Sequence, residues 1–164
     1  SVIQDIYTTG ATNEANISLN NNSGMNYLTA YQGDLESSVL ANINVAGATG
    51  SNITLNLAGA GGAGLNGNII FKKGDFIQPK GNTDTYRYPY EVTSDVTWTH
   101  GTTPTVELHR PVLSQDGVTI LSNGLKVGND VRWQVKIVNL PKYSVVPHDR
   151  VAFSDDFQLI EVIT

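Results

Sequence analysis

The side chains best suited to chemistry in this sequence are few and scattered. Three histidines stand at His100, His109 and His148, and cysteine is absent. No two of the histidines have the i, i+4 spacing that sets a zinc pair on one helix face, and no thiolate can complete a tetrahedral site. Glu107 and His109 alternate on a strand-like run and so share a face, but two ligands fall short of a metal site. Asp155 and Asp156 follow Ser154, with Asp149 in the same stretch, yet the spaced oxygen ligands and glycine turn of a calcium loop are missing. A carboxylate pair for glycoside hydrolysis would come from Asp84, Glu91 and Asp95. Glu91 and Asp95 share strand parity but lie about 13 Å apart along an extended strand, too far for that pair. No Gly-x-Ser-x-Gly elbow presents a serine nucleophile. The expectation is a protein that is not an enzyme, with no metal and no cofactor.

Two further motifs have a chemical and a structural reading. Gly59 to Gly67 runs Gly-Ala-Gly-Gly-Ala-Gly-Leu-Asn-Gly, superficially a phosphate-cradling loop. Such a loop needs a helix after it, whereas Asn68 to Lys73 reads as a strand, so a connection between strands is expected. Tyr86, Tyr88 and Tyr90 fall on one face of an extended segment, with Trp98 downstream. An aromatic row can stack on sugar rings or bases, and it can equally pack across strands or against another subunit. These four residues are the candidate interface or ligand contacts. Sequons at Asn16, Asn21 and Asn52 sit in an Asn- and Ser/Thr-rich segment where they arise by chance.

The elements that position these residues are mostly strands. Residues 14–20 and, more cleanly, 51–57 alternate, with Ile53, Leu55 and Leu57 on one face. Further strands are read at 68–73, 76–78, 86–96 (with Pro89 marking an edge or bulge), 104–109, 130–138 and 157–163. The run 130–138 is the strongest, with Val131, Trp133, Val135 and Ile137 opposite Arg132, Gln134 and Lys136. Gly74-Asp75, Asp116-Gly117 and Asn123-Gly124 read as turns. One segment is ambiguous: Leu35, Val39 and Ile43 recur every four residues behind a potential Asp34 cap, but 38–45 also suits a strand. The fold class is therefore all-β, an antiparallel sandwich or barrel with at most one short helix near residues 34–43.

Charge is distributed unevenly over the 164 residues, whose net charge is −5. All ten Lys and Arg lie at Lys72 or later, and residues 1–71 carry only Asp5, Glu14, Asp34 and Glu36. A surface of amides and hydroxyls fits either a partly ordered arm or a face that meets another subunit, where charges are costly to desolvate. The chain divides on this basis into a low-charge, Asn/Gly-rich β segment or assembly arm at 1–68 and a compact antiparallel β domain at 69–164, or forms one continuous domain. The acidic balance opposes nucleic-acid binding, and no apolar run is long enough to span a membrane as a helix. Ser1 to Gly10 shows no secretory signal.

Lys72-Lys73-Gly74-Asp75-Phe76-Ile77-Gln78, Tyr88 to Val96, Val106 to Leu113, Val127 to Val135 and Phe157 to Ile163 together resemble the small β modules of tailed-bacteriophage structural proteins. The resemblance covers roughly residues 69–164 and is one of style, without a diagnostic motif. It implies a virion subunit of the tail or baseplate, homo-oligomeric, in contact with other virion proteins, assembled in the host cytoplasm, with no catalytic residues. A capsid-associated decoration protein, or a carbohydrate-binding module using Tyr86, Tyr88 and Tyr90, is the alternative.

Overall fold

Branched side chains alternating with amides and hydroxyls build strands here, because a period of two sends the apolar set to one face. The computed structural model describes residues 14–17, 30–79, 88–113, 124–139, 143–146, 150–153 and 158–163. After strand β1 (Glu14–Ile17) comes a single helical turn, α1 (Ser37–Leu40), and then β2 (Asn44–Thr49) and β3 (Asn52–Asn56). The chain continues through β4 (Ile69–Phe71), β5 (Phe76–Pro79), β6 (Tyr90–Glu91), β7 (Val96–Thr97), β8 (Thr105–Glu107) and β9 (Leu125–Val127). It ends with β10 (Trp133–Asn139), β11 (Tyr143–Val146), β12 (Arg150–Phe153) and β13 (Gln158–Glu161). Every described strand pair is antiparallel, and no sheet closes into a barrel among the described residues. The fold is all-β and sandwich-like.

Contacts divide the chain into Ser18–Arg132 and a second unit made of Ser1–Ile17 with Trp133–Thr164. The first unit holds the sheets β2-β3-β8, β4-β7 and β6-β5-β9. Ile53, Leu55 and Leu57 are buried as the alternation requires, and they join Val45, Ile70, Phe71, Ile77, Tyr90, Trp98 and Val106 in one cluster. Strands from both sides of residue 68 therefore share this core. Gly50, at φ +58, makes the tight turn that closes β2 on β3, with Thr49 opposite Asn52.

The ambiguous segment resolves as helix for one turn only. The expected Asp34 cap is not made: α1 starts after Glu36, with no side-chain capping bond. Asp34 is used elsewhere. Its Oδ2 accepts from the Ile69 N–H at 2.7 Å, and its own N–H donates to the Ile69 carbonyl at 2.9 Å. The Tyr31 hydroxyl donates to the Ile70 carbonyl at 2.7 Å and accepts from the Leu35 N–H at 3.2 Å. Residues 31–35 thus lie along β4 on the side away from β7 and cover an edge that would otherwise stand open. Gly33 allows this approach, since a Cβ there would overlap the Tyr31 ring and sit 2.6 Å from the Ile70 carbonyl oxygen. Gly33→Ala is expected to reduce stability by about 1–3 kcal/mol through overpacking. Urea unfolding checks this, and an unchanged midpoint would contradict the close docking.

The second unit contains the sheet β1-β10-β13 and the hairpin β11-β12. β10 starts at Trp133 rather than at residue 130, because Gly128–Asp130 form a 3-10 turn. The backbone of Arg132, in the first unit, is taken by a side chain. The buried Gln78 accepts from the Arg132 N–H at 3.0 Å and donates to its carbonyl at 2.9 Å, standing in for one residue of a neighbouring strand. Among the described residues no helix is long and apolar enough to cross a membrane.

Candidate functional site

The aromatic candidates are packed inside. Tyr88, Tyr90 and Trp98 are only 1, 0 and 1 % exposed, and all three belong to the core cluster of the first unit. Burying these rings removes large apolar areas from water, and that requirement outweighs any display on a surface. The Tyr90 hydroxyl accepts from the Leu113 N–H at 2.9 Å, and the Arg110 guanidinium carbon lies 5.2 Å from the ring centroid. Tyr86 lies outside the described residues, as do Asp84, His148, Asp149, Asp155 and Asp156.

The glycine-rich loop meets Trp98 at Gly61. It leads into a 3-10 turn at Ala63–Leu65 and then into β4, a strand. A Cβ at Gly61 would come within 3.3 Å of the Trp98 ring. The Gly67 N–H donates to the Trp98 carbonyl at 3.1 Å, and the Trp98 N–H donates to the Asn68 carbonyl at 2.8 Å. Gly61 alone of the loop's glycines is held this closely, between the Trp98 ring and Leu65 Cδ1, while Gly59 and Gly67 take positive φ.

The polar candidates serve the backbone. His109 Nδ1 accepts from the Glu91 N–H at 2.9 Å, while the His109 N–H donates to the Glu91 carbonyl at 3.0 Å. Asp95 accepts from the Lys73 N–H at 2.8 Å. No group of three or more His, Asp or Glu that could hold a metal exists among the described residues. Asp75, read from sequence only as part of a turn, is the most connected carboxylate described. It is buried, and it accepts from the Gln32 and Lys72 N–H groups, each at 2.9 Å. Its carbonyl also accepts from the Val92 N–H at 2.9 Å, so one residue ties together three chain segments. Burial raises its pKa above the ordinary 3.8, against the two backbone bonds that lower it. Burial likewise pushes the nearby Tyr31 hydroxyl up to about 12, so it stays protonated at neutral pH.

Among the described residues of the first unit, two clefts stand out. One, of about 260 Å³, lies between α1, Tyr31 and residues 125–130. The other, of about 250 Å³, is walled by residues 56–61 and 100–103. Ser37, Lys126 and Asp130 line the first, and His100, Thr102 and Thr103 line the second, where the Thr102 hydroxyl donates to the Thr99 carbonyl at 2.8 Å.

The most distinctive surface is the outward face of β2-β3-β8. Cross-strand partners share a face, so the rows Ala48-Ile53-Val106 and Val45-Leu55, buried apart from the half-buried Ala48, define the inner side. The outer side then carries Asn44 beside Asn56, Gly47 beside Thr54 and Thr105, and Thr49 beside Asn52 and Glu107. Amides and hydroxyls cover this face, Glu107 is its lone charge, and no charged residue occurs between Glu36 and Lys72. Comparison with protein-family models, curated proteins and solved structures finds no match to this chain.

Proposed function

We propose that this chain is a structural subunit of a tailed-bacteriophage virion, in the tail or baseplate, and that it works by protein–protein contact without catalysis. Its partners would be copies of itself and other virion proteins. The observation that carries this reading is the nearly uncharged outward sheet face of β2-β3-β8. A free surface normally carries roughly a quarter to a third charged residues, which keep it soluble. A face of Asn and Thr offers hydrogen-bonding groups without the desolvation penalty of charge, which suits a surface that becomes covered. The resemblance of residues 69–164 to phage β modules supports the virion setting. Density-gradient banding of particles from the encoding genome, followed by peptide mass spectrometry, tests it. The chain is expected at a fixed copy number per particle, and its absence from washed particles removes the virion reading.

A further inference from the structure

The open edge of the β2-β3-β8 sheet supports a narrower reading, which rests on the contact function proposed above. β2 bonds β3 on one side, and among the described residues no strand or side chain bonds its other side. Such an edge presents unpaired N–H and C=O groups, which natural monomers blunt with Lys, Pro, inward-pointing charge or a β-bulge. β2 reads Asn-Val-Ala-Gly-Ala-Thr, with no Lys, Pro or charge, and of these devices it carries only a bulge. Its one irregularity is a register shift between Val45 and Gly47, after which Gly47, Ala48 and Thr49 pair regularly with Thr54, Ile53 and Asn52.

Gly47 stands at this bulge, a common place for a strand glycine. Its φ is not positive, so it is not the left-handed glycine that some bulges require. A Cβ at this position would meet nothing within 4 Å. Glycine weakens a strand interior, and besides marking bulges it leaves room for another backbone to come close.

We propose that a second copy of this chain adds its own β2 here, antiparallel about a two-fold axis near Gly47. The two sheets then join as a six-stranded β8-β3-β2-β2-β3-β8. Charge argues for a second copy over a different partner. In an isologous pairing each strand meets its own sequence, so any charge would face its like and repel. A different partner is selected by opposite charges around the contact, and this edge offers none.

The chain lacks cysteine, so single introduced cysteines give a clean readout. Gly47→Cys and Thr49→Cys lie on one sheet face, while Thr102→Cys sits on an exposed loop as the control. Under mild oxidation at least one of the first two is expected to form a disulfide dimer on the order of tenfold faster than the control. Gly47→Lys, which has open space, is expected to halve the mass seen by light scattering while leaving the far-UV circular dichroism unchanged. If the parent chain is dimeric but Gly47→Lys keeps that mass and neither cysteine outpaces the control, the β2 pairing is wrong and the contact function stands on another surface. If the Gly47→Cys variant crosslinks only to a different protein in particles, the second copy is the wrong occupant. A parent chain that stays monomeric at high concentration overturns the pairing, and its absence from particles as well overturns the function beneath it.

Discussion

Trp98→Ala is expected to lower the unfolding free energy by about 3–5 kcal/mol, the usual loss when a large aromatic leaves a filled core. For a chain of this size that amounts to a fall in melting temperature of roughly 10 °C. Trp98 heads the fully buried side chains by volume, and Gly61 of the glycine-rich loop lies close to its ring. Its indole Nε1 is buried and finds no acceptor among the described residues. An orphaned donor carries a desolvation penalty of about 1–3 kcal/mol, so Trp98→Phe removes a penalty together with some packing. That variant is expected to cost far less than alanine. Thermal unfolding of the two variants separates the effects. Equal losses would show that the Nε1 is satisfied, and an unchanged melting temperature for Trp98→Ala would contradict its burial. A Trp98 that bound a ligand at the surface would instead lose binding while the fold kept its stability.

Asp75→Ala is expected to reduce stability by about 2–3 kcal/mol, because the Gln32 and Lys72 N–H groups both lose their acceptor. Asp75→Asn keeps one acceptor oxygen but turns an NH2 group toward a donor, and should fall between wild type and alanine. The pH dependence has a definite sign. A carboxyl whose folded pKa is raised binds its proton more tightly in the native state. Its stabilising contribution is complete below the ordinary unfolded value of 3.8 and is lost as pH rises through the raised native value. The stability gap between wild type and Asp75→Asn is therefore expected to widen as pH falls from neutral toward that value, measured by urea titration at a series of pH values. A gap that narrows on acidification would mean that the backbone bonds to the carboxylate outweigh its burial.

Strand type is legible wherever both alternation and branched side chains are present. Ile53, Leu55 and Leu57 face the core because a strand leaves them no other way to share a side. Boundaries are less legible where a side chain takes the part of backbone. Residues 131 and 132 continue the alternation of β10, but the Gln78 amide pairs with Arg132, and nothing in local sequence marks a glutamine as a strand mimic. Asp34 resembles a cap because capping is a local rule, whereas its partner Ile69 is remote in sequence. Asp75 is hidden for the same reason: Gly-Asp is an ordinary turn dipeptide until the turn is buried under Gln32. In the tyrosine row, Tyr88, Pro89 and Tyr90 are all buried in succession and only Tyr90 lies in a strand, so the two described tyrosines go inside without the alternation that a surface row assumes. The uncharged character of residues 37–71 is plain in the sequence, and it is the pairing register that places it on one outward sheet face.

The pairing of β1 with β10 sets Glu14 opposite Lys136. A ribosome adding about 5–20 residues per second delivers the second strand on the order of ten seconds after the first. Throughout that interval the first strand has been made and its own partner has not. On a polysome, where nascent copies emerge side by side, β10 of a neighbouring chain that is further along already offers the same edge. The order of synthesis, as much as the finished contacts, then decides whether β1 closes on its own chain or is exchanged with another.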